Sequence, residues 1–229
     1  GAPDRALCAS CLAGLLPPQG HRELADGTTV FTGLRSHGVA RQTTLSLKRQ
    51  GRTDVARPLT APIAGAVAAA LRSTAHDAVE LVAVPSSRAA FRRRGYDPVL
   101  LVLRRAGLLP SARVLVSVRE HAQQKMLDRE ARQLNLAGTM LARHPLGGRA
   151  FIVVDDVVTT GATLMEAARA IRSAGGEVLC AVALANTVRT LGDFEGSRHK
   201  LVTSPDDGTT VSKRGALVRP GSAGGDAPL

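Results

Sequence analysis

The apolar residues of this chain fall into short continuous runs, separated by longer stretches where they recur every three or four positions. Phe151-Ile152-Val153-Val154 is too short for a free helix and right for a fully buried parallel strand. Val79–Val84, Arg113–Val118 and Val178–Leu184 read as further strands, Thr29–Leu34 alternates enough to be one, and Thr139-Met140-Leu141 makes a short one. Helical spacing covers Val39–Gln50, stopped by Gly51. It returns from Pro58 through Ile63, Val67 and Ala70 to Leu71, and from the Asp97-Pro98 start to Arg105. Asp128 caps another helix through Arg132, Asn135 and Leu136, ended by Gly138. Ala162–Ala174, with Leu164, Ala167, Ala168 and Ile171 apolar, is the last, stopped by Gly175-Gly176.

Strands alternating with helices predict an α/β fold with a mainly parallel sheet flanked by helices. Residues 1–28 read as an N-terminal piece, irregular through residue 22, and residues 29–189 as the domain proper. From 190 to 229 Gly, Ser, Asp, Thr and Pro dominate, so this tail is expected to be disordered.

Ligands of such sheets sit beyond the carboxyl ends of the strands. That rule brings together Pro85-Ser86-Ser87-Arg88, the polar run Arg119–Asp128, and Asp155–Thr163, although they are far apart in sequence. The third stretch carries the most chemistry. Asp155 and Asp156 come where the strand should end, followed by Val157, Val158, Thr159, Thr160, Gly161, Ala162 and Thr163 at the start of a helix. A helix N-terminus binds phosphate, Gly161 lets backbone approach closely, and three threonine hydroxyls add donors. The two acids suit sugar hydroxyls or a metal-bound water, so a sugar phosphate fits both halves. Neighbouring side chains of a strand face opposite ways, which gives the two carboxylates unequal roles unless the pleat fades. The plain alternative is a strand-turn-helix with a capping Thr, which needs no acid pair. The stretch is neither a Walker loop nor a dinucleotide turn.

Pro85, Ser86, Ser87 and Arg88 offer N–H groups to a second anion, with Arg92, Arg93 and Arg94 close behind. Lys48 lies in a basic cluster, Lys48-Arg49-Gln50-Gly51-Arg52, equally readable as a solvated helix end. The run with Arg119, Gln124 and Lys125, continuing to Arg132, reads as a loop that closes over substrate.

Net charge of +11, with Arg far outnumbering Lys, favours anionic partners, although scattered arginines also reflect genome-wide usage. Four Phe, one Tyr and no Trp leave few platforms for base stacking. Three cysteines make no disulfide framework, and a reducing, cytoplasmic setting is the default. Cys8-Ala-Ser-Cys11 is half of a tetrahedral zinc site, which His21 and His37 could complete; otherwise it is an exposed pair open to oxidation. Cys180 lies in a strand and reads as core. No run is long and apolar enough to span a membrane, and no signal peptide is seen. The chain opens on Gly rather than Met, so an upstream piece is expected to be missing or replaced.

The stretch 151–163 closely resembles the ribose-phosphate signature of type I phosphoribosyltransferases: four hydrophobic residues, two acids, then a Thr-Gly-x-Thr loop. Over roughly residues 5 to 190 the chain also resembles the ComF family of competence-related phosphoribosyltransferase-like proteins. The residues that carry this are Val84-Pro85, Arg94-Gly95-Tyr96, Gln124-x-x-Leu127, Arg132-x-x-Asn135-Leu136, Ala183-Leu184-Ala185, Leu47-Lys48-Arg49-x-Gly51 and the Cys8–Cys11 pair. The resemblance implies a type I phosphoribosyltransferase fold that binds phosphoribosyl pyrophosphate with Mg2+. Asp155 and Asp156 would meet the ribose hydroxyls or Mg2+, Thr159, Thr160, Gly161 and Thr163 the 5′-phosphate, and the Pro85–Arg88 loop the pyrophosphate. Residues 119–132 would be the flexible loop. It also implies a link to DNA uptake, through single-stranded DNA or a competence helicase, or a sensor that binds the sugar pyrophosphate without turnover. The sequence departs from that family in carrying one Cys pair rather than two, Asp97-Pro98 in place of Asn-Gln, Ala89-Ala90 in place of an Arg pair, and a polar tail.

Overall fold

The computed structural model describes residues 6–15, 20–111, 114–118, 138–187, 210–211 and 216–218. In chain order these form α1 (Ala9–Ala13), β1 (Gly20–Glu23), β2 (Thr29–Arg35), α2 (Gly38–Arg49), a 3-10 turn (Thr53–Ala56), α3 (Thr60–Arg72) and β3 (Ala78–Ala83). There follow α4 (Arg88–Arg94), α5 (Pro98–Arg105), β4 (Leu115–Ser117), β5 (Met140–Ala142), β6 (Ala150–Val158), α6 (Ala162–Ser173), β7 (Glu177–Asn186), β8 (Thr210–Val211) and β9 (Ala216–Val218).

The main sheet runs β1-β2-β7-β6-β3-β9-β8. Its centre, β2-β7-β6-β3, is parallel, and β1 and β9 add antiparallel edges. The α/β class and parallel sheet expected from the apolar pattern are therefore present. Alternation along β6 explains the layering. Ile152 and Val154 join the cluster made with α2, α3 and α5, while Phe151 and Val153 pack with α6 on the other face. All four are fully buried, and each contributes roughly 2 kcal/mol relative to exposure.

Five expectations change. First, β6 does not stop at Val154. Backbone pairing with β7 continues to Val158↔Asn186, so both acids lie inside the strand. Backbone hydrogen bonds do not depend on side-chain polarity, and the strand outlasts its apolar run. Second, the strand read at Arg113–Val118 is shorter and, among the described residues, pairs with β5 in a separate two-stranded sheet rather than with the main sheet. Third, the first 22 residues are not all irregular, since α1 forms and polar β1 pairs with β2 through Glu23↔Thr29. Fourth, the stretch read as a disordered tail contributes β8 and β9, with β9 paired to β3 at Val79↔Leu217. Such pairing covers backbone groups that the β3 edge would otherwise leave open. The remaining residues of 190–229 lie outside those described. Fifth, the helix assigned to Pro58 starts at Thr60, after the 3-10 turn.

The small β4–β5 sheet is tied to α6 by Glu166. This 5% exposed carboxylate accepts the Met140 N–H at 2.9 Å and pairs with Arg169 at 2.7 Å, and Arg169 also donates to the Met140 carbonyl. The Arg169 guanidinium and the Met140 N–H offset the burial and hold the Glu166 carboxyl below its usual range.

Candidate functional site

The carboxyl ends of β3 and β6 are neighbours. Ala83 pairs with Val154, and the Val84 N–H donates to the Val154 carbonyl at 2.8 Å. Pro85 therefore follows directly beside Asp155. These two strand ends open into one cleft of about 480 Å3, lined by Pro85, Ser86, Ser87, Asp155, Asp156, Val157, Thr159 and Thr163. Helix α2 supplies the facing wall with Arg41, Thr44, Lys48 and Arg49, and Arg94 closes the side.

The acids differ in environment. Asp156 has the register parity of Ile152 and Val154, the α2 side, and its Oδ2 lies 2.5 Å from Lys48 Nζ. Asp155 is enclosed. Burial first, then the neighbouring Asp156 charge, push its carboxyl up to about 7, against the pull of the Asp156 N–H and Lys48. The chain folds back on both carboxylates: the Asp156 N–H donates to Asp155 Oδ1 and the Val157 N–H to Asp156 Oδ1, each at 2.7 Å.

The turn into α6 is built for close approach. Gly161 is the helix N-cap, with φ of +84° and no side-chain cap bond. A Cβ there would lie 2.4 Å from Leu24 Cδ2, so the left-handed backbone favours glycine and any side chain would have to push the Leu24 tip aside. Thr160 Oγ1 accepts the Ala162 N–H at 3.3 Å, which commits one acceptor inside the loop and leaves its own O–H to donate. The loop is also held from β1, where Arg22 Nη2 donates to the Thr159 carbonyl at 2.6 Å. No sequence signal marked Arg22, because its role exists only once β1 joins the sheet edge. Val158 and Ala162 are buried and serve the loop through backbone.

The second strand end needs correction at its donors. The Ser86 N–H goes to Asp97 Oδ2 at 3.3 Å, Ser86 Oγ accepts from Arg94 at 3.0 Å, and Ser87 Oγ caps α4 through the Ala90 N–H at 3.2 Å. Asp97 thus does two things, since its Oδ1 also caps α5 by accepting the Leu100 N–H. The four arginines read as one anion cluster are separated by helix α4. Arg94 lines the cleft, whereas Arg88, Arg92 and Arg93 are exposed and do not. That helix was legible in principle, from Ser87 as N-cap and Gly95 as left-handed C-cap. Arg119, Gln124, Lys125 and Arg132 lie outside the described residues.

Two adjacent carboxylates suit Mg2+, which keeps waters and takes much of its shell from ligand phosphates rather than from a protein cage. Among the described residues no group of three or more His, Cys, Asp or Glu converges on one point. Lys48 already neutralises Asp156, so a cation arriving with a ligand would share or displace that ammonium. Cys8 opens α1 with Sγ 3.2 Å from Ser10 Oγ. The hydrogen bond with Ser10 and those with Cys11 bring the Cys8 thiol down to about 7. His21 and His37 do not join the pair in a ligand cluster: His21 packs on Phe31 at 5.7 Å, and His37 precedes α2. A zinc ion at Cys8 and Cys11 would need two further ligands. Cys180, 1% exposed, is core. No helix among the described residues is long and apolar enough to cross a membrane.

Residues 97–196 match the family described as "Phosphoribosyl transferase domain". Over 58 residues the chain is 43% identical to an orotate phosphoribosyltransferase of Campylobacter hominis, a match covering 24% of this chain and 29% of that enzyme. The chain thus spans less than a third of the length of that curated relative. The matched segment contains α5, the acid pair of β6 and the Gly161 turn, and the mostly parallel α/β architecture around it is consistent with the type I phosphoribosyltransferase fold.

Proposed function

We propose that this protein binds phosphoribosyl pyrophosphate with Mg2+ and transfers the phosphoribosyl group to an acceptor, displacing pyrophosphate at C1 of the ribose. The observation that carries this reading is the adjacency of the two strand ends: a helix N-terminus whose N-cap is the bare Gly161 and an acid pair on β6 lie beside the Pro85–Ser87 loop on β3 around one cleft. The Thr159–Thr163 turn takes the 5′-phosphate through helix N–H groups and hydroxyls. Asp155 and Asp156 accept from the ribose 2′ and 3′ hydroxyls. Lys48 and Arg94 face the pyrophosphate with positive charge.

Asp155 and Asp156 would hold Mg2+ together with oxygens of the ligand, and the ion would supply neutralisation of the departing charge. The chain's own contribution is positioning and a fixed field, with no covalent nucleophile needed. Calorimetric titration of the wild type with phosphoribosyl pyrophosphate and Mg2+ tests the reading. Saturable binding, absent with ribose alone, is expected. A well-folded protein that takes up no ligand would rule it out.

A second reading follows from the outer surface and the ComF resemblance. Phe91 is 50% exposed on α4 among Arg88, Arg92 and Arg93, a stacking ring set in positive charge. That face suits single-stranded DNA in an uptake role beside a helicase. Binding that weakens steeply with salt, and weakens further in Phe91→Ala, is its expected result.

A further inference from the structure

The carbonyls of the last helical turn have no partners within the helix. At the end of α2 three of them are taken. Ser46 accepts from the N–H groups of Gln50 and Arg52. The carbonyl of Leu47 accepts from the Tyr96 hydroxyl, and that of Lys48 from Arg94 Nη1 at 3.4 Å. The other terminal nitrogen of Arg94 donates to Ser86 Oγ in the loop after β3. Gly95, with φ of +76°, reverses the chain between the two donors so that both reach the same helix end. From that end Lys48 crosses to Asp156 Oδ2 at 2.5 Å.

We propose that Arg94-Gly95-Tyr96 is a clasp on α2, and that Arg94 and Tyr96 are positioning residues acting through Lys48. The clasp fixes the α2 terminus, and with it the ammonium that spans the cleft to the acid pair. Through Ser86 the same arginine ties that ammonium to the loop facing the pyrophosphate. The two strand ends are thereby held in register from the side chains as well as from the sheet. Four groups carry the linkage: Ser86, Arg94, Lys48 and Asp156. An ordinary helix cap would stabilise α2 without reaching either strand end; here both ends are bonded.

The ligand arm of the test rests on the proposed function, and the other arm does not. The lysines of the chain are Lys48, Lys125, Lys200 and Lys213, so amine acetylation read by peptide mass spectrometry resolves Lys48 cleanly. Tyr96→Phe keeps the ring and removes only the hydroxyl. It is expected to raise the Lys48 acetylation rate, relative to the other three lysines, by about threefold to tenfold. An unchanged rate overturns the clasp whether or not any ligand binds.

In the second arm, Tyr96→Phe weakens phosphoribosyl pyrophosphate binding about tenfold in the parent and less than about twofold in Lys48→Met, because the two changes share one path. Equal losses in both backgrounds overturn action through Lys48 and leave a plain helix cap. Absence of binding to the parent itself counts against the proposed function, and the acetylation rates still decide the clasp.

Discussion

Gly161→Ala is expected to destabilise the protein by about 2–5 kcal/mol in urea unfolding. The first contribution is backbone: a φ of +84° places any Cβ in the left-handed region, at about 1–2 kcal/mol. The second is overpacking. The new methyl would meet Leu24 Cδ2 at 2.4 Å and Cδ1 at 2.9 Å, and Leu24 is itself buried, so relief comes only by displacing core at about 1–3 kcal/mol. The two sources separate experimentally. At Gly95 the φ is similar but nothing lies within 4 Å of an added Cβ, so Gly95→Ala carries only the backbone cost and should lose about half as much. Gly161→Ala also moves the turn meant for the 5′-phosphate, so ligand affinity is expected to fall with stability. Equal losses at the two glycines would show that Leu24 yields freely.

Asp155→Asn is expected to make the protein more stable at pH 8 and no more stable at pH 4. The carboxyl ionises near its ordinary 3.8 in the unfolded chain but only at about 7 in the fold. Between those values the folded state binds more protons than the unfolded state, so stability falls as pH rises through that window and the full loss is present above it. Asparagine carries no charge to desolvate and escapes that loss, which is on the order of 3–4 kcal/mol. The measurement is the difference in unfolding free energy between variant and wild type from pH 4 to 8. It should open from near zero to a clear gain. A constant difference would mean that desolvation and the Asp156 charge do not raise the Asp155 carboxyl in the fold. The same substitution removes an acceptor for a ribose hydroxyl, so the stabilised variant should bind the ligand worse.

The parts of this fold that could be read in advance are those where a local pattern is also the physical cause. Phe151–Val154 is apolar on both faces because helices cover both faces, and Asp97-Pro98 starts α5 through a bond the sequence announces. The acid pair and the Gly161 turn were equally legible, since the site is continuous in sequence. What could not be read depends on pairing between distant segments. Gly20–Glu23 is polar and becomes a strand only because β2 offers an edge. Leu115–Ser117 has a strand's composition but pairs with Met140–Ala142 rather than with the main sheet. The Ser86 N–H and hydroxyl oxygen looked free because nothing local shows that Asp97 will accept from the first and Arg94 donate to the second. Arg92, Arg93 and Arg94 are adjacent in sequence, yet helix α4 sends only Arg94 into the cleft.

The most direct test of the central claim is calorimetric titration of phosphoribosyl pyrophosphate with Mg2+ into wild type and into Asp155→Asn/Asp156→Asn. The account predicts saturable one-site binding to the wild type that falls at least about a hundredfold in the double variant, as expected when two charge-assisted hydrogen bonds are removed. Equal binding by both proteins would contradict it, because the ligand would then be held somewhere other than the end of β6.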